Sequence, residues 1–326
     1  MKNTKMEGKF SKKVGIKKKM IVHFRKIFLL FLNLLFNHNF VFRVVGWFNK
    51  KKGFLKTIFV AYPASEEYAN AYVYKRCRYK MRWCPWPAGI FKQNGKWGVM
   101  FVISSTDQDF KNPENKEKLA FFVKKFVRIK DMLRAEQMTS AGIIPGMLHR
   151  HKLISEAPEA EVTVKAVVKA EEEVRKILNW EEVPLVVLGG KGFIGSRLVE
   201  KLNNRVYSRE VYSVDCEDGI DYINWPYSLE GKRAIIINIT KKHALSNYLP
   251  LFWPDLVLIN ETYPEPSKQE IAALAKKGNK VYHVAGVEAS SFPSFPKAYA
   301  GGIPACAAWN SPDMKVIVKD LSKEFF

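Results

Sequence analysis

Hydrophobic runs alternate along the chain with polar segments, and their lengths and spacing predict a series of strands and helices. An apolar run from Lys56 to Tyr62 predicts a strand, and Ser65 followed by two glutamates predicts the start of a helix. Asn94-Gly95 separates two apolar segments and predicts a hairpin with a two-residue turn. Helical spacing with a lysine-rich face covers residues 114–134. Together these elements predict an α/β domain at residues 57–158.

The second half of the chain has the pattern of a parallel sheet. Continuous apolar runs of four to eight residues are typical of strands that helices cover on both faces. An amphipathic segment at 159–180 predicts a helix that links the two domains. The expected fold class is therefore α/β: the N-terminal α/β domain, then a Rossmann-type doubly wound parallel sheet at 181–310 and a C-terminal tail at 311–326. The predicted strands lie at 183–188, 211–214, 234–240, 255–260 and 280–284.

A glycine motif that is typical of dinucleotide-binding domains follows the first of these strands. Gly190, Gly192 and Gly195 have G-x-G-x-x-G spacing, which allows a tight turn, close approach of a pyrophosphate, and packing of helix on strand. Asp215 ends the next strand, about 20 residues further on, where an acidic side chain binds the adenosine ribose. The candidate cofactor-binding residues are Gly190, Lys191, Gly192, Phe193, Ile194, Gly195 and Asp215, with Asn238, Thr240 and Asn260 at the ends of later strands.

These residues predict NAD(H) or NADP(H) as the cofactor. A carboxylate at Asp215 would accept hydrogen bonds from ribose hydroxyls and repel a 2′-phosphate, so it favours NAD. The alternative is a glycine-rich turn that only packs. The four cysteines have neither the paired spacing of a zinc site nor the density of a disulfide scaffold, so we expect no metal and a reducing compartment.

The first 56 residues differ from the rest in both charge and pattern. They hold 15 Lys and Arg and one acidic residue, Glu7, so they carry +14 of the chain's net charge of +21. An apolar run from Ile27 to Phe48 lies between basic clusters and is interrupted by Arg43. Basic, apolar helices of this type bind anionic membrane surfaces. We therefore expect a cytoplasmic protein whose residues 1–56 form a membrane-associating helix, peripheral or single-anchor, with no nucleic-acid partner; a solvated or nucleic-acid-binding tail is the alternative.

Five stretches occur in the order that is seen in one enzyme family. They are Phe59 to Glu67, Glu161 to Val168, the glycine loop, Val257 to Pro264, and Ala300 to Ala308. Over roughly residues 57–310 the chain thereby resembles the long-chain acyl-(acyl-carrier-protein) reductases, which are aldehyde-forming fatty acyl reductases related to shikimate dehydrogenase-like proteins. The resemblance implies an N-terminal substrate domain, a nicotinamide cofactor, and an acyl thioester of acyl carrier protein or CoA as substrate.

The same resemblance assigns a chemical role to one cysteine. It implies that Cys306, in the sequence Ala-Cys-Ala-Ala, accepts the acyl group, and that the enzyme-bound thioester is then reduced to an aldehyde. His283, on the last predicted strand, is our candidate for a proton donor. We thus expect an NAD(P)-dependent oxidoreductase of unknown oligomeric state. Two alternatives remain: a shikimate dehydrogenase-like enzyme acting on an alcohol or imine, with Cys306 a small packing residue, and a non-catalytic membrane-bound dinucleotide-binding protein.

Overall fold

The computed structural model describes residues 3–204, 210–215, 221–241 and 244–325, with side chains from Met20 onward. The chain divides into two compact units, Met1–Glu156 and Ala157–Phe326. Both units combine helices with a sheet that contains parallel strands, so the α/β class expected from the sequence is confirmed.

The first unit contains seven helices and four strands in its described residues. In chain order they are α1 (Asn3–Phe36), α2 (Asn39–Lys52), β1 (Leu55–Ala61), α3 (Glu66–Tyr72), α4 (Lys75–Met81), β2 (Trp86–Gln93), β3 (Lys96–Val102), α5 (Asp107–Lys111), α6 (Lys116–Leu133), β4 (Gln137–Ser140) and α7 (Ile144–Arg150).

The strands of this unit lie in the order β2-β3-β1-β4. β1 runs parallel to β3 and β4, whereas β2 and β3 form an antiparallel hairpin. Asn94 and Gly95 occupy its turn with φ values of 45° and 79°, which is the geometry that such a two-residue turn requires, and the predicted hairpin is confirmed. Helix α6 packs Phe122, Phe126 and Ile129 into the core beneath the sheet.

Helix α2 is attached to this core through one buried amide side chain. The Nδ2 atom of Asn49 donates a hydrogen bond of 2.7 Å to the carbonyl oxygen of Arg134, and its Oδ1 accepts one of 2.7 Å from the backbone N–H of Leu55. One turn earlier, a β-carbon at Gly46 would overlap the carbonyl oxygen of Met132. Helix α2 therefore belongs to the folded body of the first unit.

The length and composition of the N-terminal helices bear on the expected membrane association. Within the described part of the chain, no single helix is long and apolar enough to cross a bilayer. Residues Met20–Phe36 of α1 and helix α2 meet the criterion only as a pair, and they are bent by 75° at the break between them.

The second unit contains four helices and eight strands in its described residues. They are α8 (Pro158–Leu178), β5 (Leu185–Leu188), α9 (Gly195–Asn203), β6 (Val211–Val214), β7 (Ala234–Asn238), α10 (Leu245–Tyr248), β8 (Leu256–Asn260), α11 (Lys268–Lys276), β9 (Lys280–Glu288), β10 (Ser290–Phe292), β11 (Gly302–Ile303) and β12 (Val316–Asp320).

The main sheet of this unit has a doubly wound topology. Its parallel strands lie in the order β6-β5-β7-β8-β9, one of the two common orders of such sheets. Leu185 and Val187 of β5 pack towards α8 and α9, whereas Val186 and Leu188 pack on the opposite face, towards α10 and α11. Helices thus cover both faces, and the chain reverses its direction of strand addition between β5 and β7.

Two features of this unit differ from the expected layout. The helix expected to link the domains, α8, lies within the second unit and packs against its sheet. The segment expected to be a C-terminal tail contributes β12, which pairs antiparallel with β9, as β11 also does. The sheet is therefore parallel in its centre and antiparallel at one edge, and the chain after residue 310 completes it.

Candidate functional site

The glycine loop lies at the carboxyl end of β5, beside the point where the strand order reverses. The backbone N–H groups of Gly189 and Gly190 both donate to the carbonyl oxygen of Val214, which holds the loop against β6. A β-carbon at Gly190 would overlap Ser213 Oγ, and one at Gly195 would overlap the carbonyl oxygen of Gly189. These two glycines are required by close packing.

Gly192 has a different environment. A β-carbon there would have one neighbour within 4 Å among the described residues, the carbonyl oxygen of Gly189 at 3.1 Å. Helix α9 begins three residues later, at Gly195, so the loop leads into a helix N-terminus, where the partial positive charge favours anions. The position thus combines an open approach to the backbone with a favourable field for a phosphate.

Asp215 is placed beside this loop. One carboxylate oxygen accepts a hydrogen bond of 2.9 Å from the backbone N–H of Lys191, and its carbonyl oxygen accepts one of 2.5 Å from the hydroxyl of buried Tyr248. Phe193 lies under the guanidinium of Arg197, which is 4.1 Å from the ring centroid. The structure therefore brings together the motif glycines and the acid that the sequence predicted to serve one cofactor.

A chain of amide and hydroxyl groups joins the ends of the neighbouring strands. The hydroxyl of Thr240 donates to Asn238 Oδ1 at 2.6 Å, and Asn238 Nδ2 donates to Asn260 Oδ1 at 2.6 Å. Asn260 Nδ2 in turn donates to the carbonyl oxygen of Thr262 at 2.7 Å. Asn238 and Asn260 are buried, so their main effect is to fix the loops that leave β7 and β8.

His283 extends this chain on β9. Its Nδ1 lies 2.9 Å from the carbonyl oxygen of Asn260, and its Nε2 lies 3.9 Å from a carboxylate oxygen of Glu265. Burial lowers the pKa of His283 to about 4, so its imidazole is neutral near pH 7. The same Nδ1 also lies 3.0 Å from Asn260 Nδ2, so Asn260 holds the imidazole through this nitrogen in either tautomer. The proton-donor role of His283 stays a prediction.

A second group of side chains surrounds Cys306. Burial raises the pKa of Tyr299 well above its usual value, and the neighbouring Cys306 and Glu261 add to that shift. The rings of Tyr299 and Tyr263 are stacked with centroids 5.4 Å apart. Cys306 lies half-buried in a short turn after Pro304. The thiol of Cys306 and the carboxyl group of Glu261, which directly follows β8, thus both act electrostatically on the Tyr299 phenol, and we refer to these three groups as a cluster.

Glu261 is the carboxyl group of this cluster, and burial raises its pKa to about 7 from an ordinary value of 4.5. An acid whose pKa is raised in the folded state stabilises the fold fully below 4.5 and loses that contribution as the pH rises through about 7. We expect the loss to be about 3 to 4 kcal/mol, at about 1.4 kcal/mol for each pKa unit between 4.5 and about 7.

The Glu261→Gln variant should lack this part of the pH dependence. Urea unfolding of the wild type and Glu261→Gln from pH 4.5 to 7 measures the difference, with Glu270→Gln, which changes a partly exposed capping carboxylate on α11, as the control. Parallel free-energy profiles for the wild type and Glu261→Gln would contradict the assignment.

Sequence reasoning had identified Cys306 but not its surroundings. Glu261 is one polar residue after a strand, and Tyr299 is one tyrosine in an irregular segment, so neither belongs to a motif or periodic pattern that would predict its role. Among the described residues, no group of three or more His, Cys, Asp and Glu side chains is arranged to hold a metal ion.

Comparison with known proteins gives little further information. No family model matches the chain, and neither does any curated protein. Among solved structures, VinN with L-aspartate is 12% identical with a TM-score of 0.23, over 74% of this chain and 69% of that chain. VinN with 3-methylaspartate is 13% identical with a TM-score of 0.23, over 81% and 76%. Similarity at this level carries no argument about fold or function.

Proposed function

We propose that this protein is an NAD(P)-dependent oxidoreductase whose second unit binds the dinucleotide. The observation that carries the proposal is the glycine loop after β5, because its placement at the reversal of strand order is where doubly wound sheets bind nucleotides. The open side of Gly192 at the start of α9 fits a pyrophosphate, since a side chain there would occupy the space in front of the loop.

The adenosine ribose is assigned to Asp215 at the end of β6. Its carboxylate already bonds the loop backbone at Lys191, so it lies within reach of a group bound against the same loop. Because a 2′-phosphate would be repelled there, we propose NAD(H) as the preferred cofactor, with NADP(H) as the alternative. Asn238, Thr240 and Asn260 are assigned a positioning role, since their hydrogen bonds hold the adjacent loops.

The proposed reaction is reduction of a long-chain acyl thioester to an aldehyde. The thiolate of Cys306 attacks the thioester carbonyl, a carbon–sulfur bond forms, and the thiol of acyl carrier protein or CoA leaves and takes up a proton. A nicotinamide cofactor held at the glycine loop would supply the hydride that reduces the acyl carbon. The carbonyl oxygen takes a proton to give a hemithioacetal on Cys306. Loss of that proton and cleavage of the carbon–sulfur bond then release the aldehyde and restore the thiol.

Glu261 is the proton donor that best suits this scheme. A pKa of about 7 leaves a large fraction of its carboxyl groups protonated at neutral pH, and it lies in the same cluster as Cys306. His283 is neutral and bonded to Asn260, so we assign it a positioning role at the end of β9.

A substrate screen tests the proposal. Purified full-length protein is incubated with NADH or NADPH and with long-chain acyl-CoA or acyl-carrier-protein thioesters, and both cofactor absorbance and aldehyde are followed. We expect cofactor oxidation with one aldehyde formed for each cofactor oxidised. Turnover with alcohols or imines but not thioesters would instead identify a shikimate dehydrogenase-like enzyme, and cofactor binding without any turnover would identify a non-catalytic dinucleotide-binding protein.

A further inference from the structure

The N-terminal helices of the first unit expose two apolar stripes. On α1 the stripe has the four–three spacing of a single helix face, and on α2 the same spacing continues beyond the bend. Phe24, Leu34 and Phe40 are each about 70% exposed, which is unusual for such large apolar side chains. The stripes consist of Met20, Phe24, Ile27, Phe31 and Leu34 on α1, and of Phe40, Val44 and Trp47 on α2.

Another face of α1 packs against the rest of the first unit. The hydroxyl of Tyr74 lies 2.8 Å from His23 Nδ1, and Asn37, the residue after the end of α1, donates through Nδ2 to the carbonyl oxygen of Pro85 at 3.3 Å. Leu29 is buried on that side. The exposed stripes therefore lie on the outer surface of a docked helix pair.

A basic cleft begins where the α2 stripe ends. It has a volume of about 450 Å³ and lies between α2 and α6. Three arginines and one aspartate give its lining a net positive charge, and Lys51 adds a further cation, 3.8 Å from the centroid of the Trp47 ring. Its lining residues are Arg43, Trp47, Arg128, Asp131, Met132 and Arg134.

Backbone packing holds the two walls of the cleft at a fixed separation. Gly46 lies directly against the backbone of Met132, and Asn49 bonds the carbonyl oxygen of Arg134, so neither wall can shift without breaking buried contacts. Trp47 belongs to both the apolar stripe and the cleft. The cleft is thus a formed basic site at the margin of an exposed apolar surface.

We propose that this cleft binds the phosphate of an anionic phospholipid headgroup while the stripes of α1 and α2 insert between the acyl chains. Guanidinium groups bind phosphate through paired hydrogen bonds, and tryptophan favours the depth of the headgroups. Each helix of the bent pair has an exposed apolar stripe, which suits a position along a membrane surface, and the cleft begins at Trp47, where the α2 stripe ends, within reach of a lipid headgroup. The site lies wholly in the first unit and is independent of cofactor binding by the second.

Vesicle flotation of the full chain tests this site. The vesicles contain phosphatidylcholine alone or phosphatidylcholine with phosphatidylglycerol. The cleft variant is Arg43→Gln with Arg128→Gln. Its matched control is Lys50→Gln with Lys124→Gln, which also removes one exposed cation from α2 and one from α6 but none from the cleft. Thermal unfolding establishes that both variants retain the fold.

We expect the wild type to bind the phosphatidylglycerol vesicles. The cleft variant should bind them at least about fivefold more weakly than the control variant does. A fivefold change in affinity is what about one lysine or arginine contributes at such a surface. Equal losses in the two variants would show that diffuse charge alone attracts the protein and would overturn the site. If the wild type bound neutral and anionic vesicles equally well, the site would also be overturned. Competition by inorganic phosphate at constant ionic strength would identify a soluble anion as the ligand and overturn the lipid assignment.

Discussion

We expect the Cys306→Ser variant to lose acyl-thioester reduction by roughly 10³-fold or more, because a serine hydroxyl is a poor nucleophile without an adjacent base. The same change should abolish a covalent adduct. When the wild type is incubated with an acyl thioester in the absence of reduced cofactor, its mass should rise by the mass of one acyl group, and peptide mapping should place that group on Cys306.

The control for this prediction is Cys84→Ser. Cys84 is also half-buried, but it belongs to the first unit, whereas the residues of the candidate site belong to the second. Its replacement should leave both turnover and acylation unchanged. If Cys306→Ser keeps wild-type activity towards a thioester, or if the acyl group maps elsewhere, Cys306 is a packing residue and the acyl-enzyme scheme is wrong.

The second large effect is expected at Gly192. Replacing it with aspartate places a carboxylate where a pyrophosphate would approach, and repulsion at about 4 Å in a partly buried site costs about 4 kcal/mol, or roughly 10³-fold in affinity. Gly192 does not have a positive φ, so a side chain there does not strain the backbone. Calorimetric titration with NADH and NADPH measures the loss.

Gly192→Ala is the matched variant, since it adds a methyl group without charge. Its methyl would lie 3.1 Å from the carbonyl oxygen of Gly189, so a modest loss of affinity is expected, well short of that for aspartate. Thermal unfolding should be similar for both variants, unlike Gly190→Ala, which would force Ser213 to move. Full cofactor binding by Gly192→Asp would show that the loop only packs.

The strands of the second unit were predictable because they are buried on both faces. Val186 and Val187 point to opposite helix layers, so both must be apolar. The strand therefore appears in the sequence as a short continuous apolar run, which is typical of a strand in the centre of a parallel sheet. Asn94-Gly95 was predictable for a different reason, because few residue pairs tolerate two successive positive φ angles.

Other features depend on contacts between residues far apart in sequence. The assignment of residues 311–326 to a tail missed β12 because Val316–Asp320 has little burial of its own and becomes a strand by pairing with β9. The state of His283 likewise follows from Asn260 on the neighbouring strand and from complete burial, which no local pattern reports. The grouping of Tyr299 with Cys306 arises in the same way.

The attachment of α2 by Asn49 has a mechanical consequence. A tether joined to an enzyme by a flexible linker lets the enzyme tumble above a membrane, whereas Asn49 and Gly46 make α2 continuous with the core of the first unit. Any depth and tilt that a bilayer imposes on the helix pair is therefore imposed on the whole first unit. That unit would face the leaflet in one orientation. A change in bilayer thickness or curvature would therefore rotate the whole unit, as a rigid body, relative to the membrane surface.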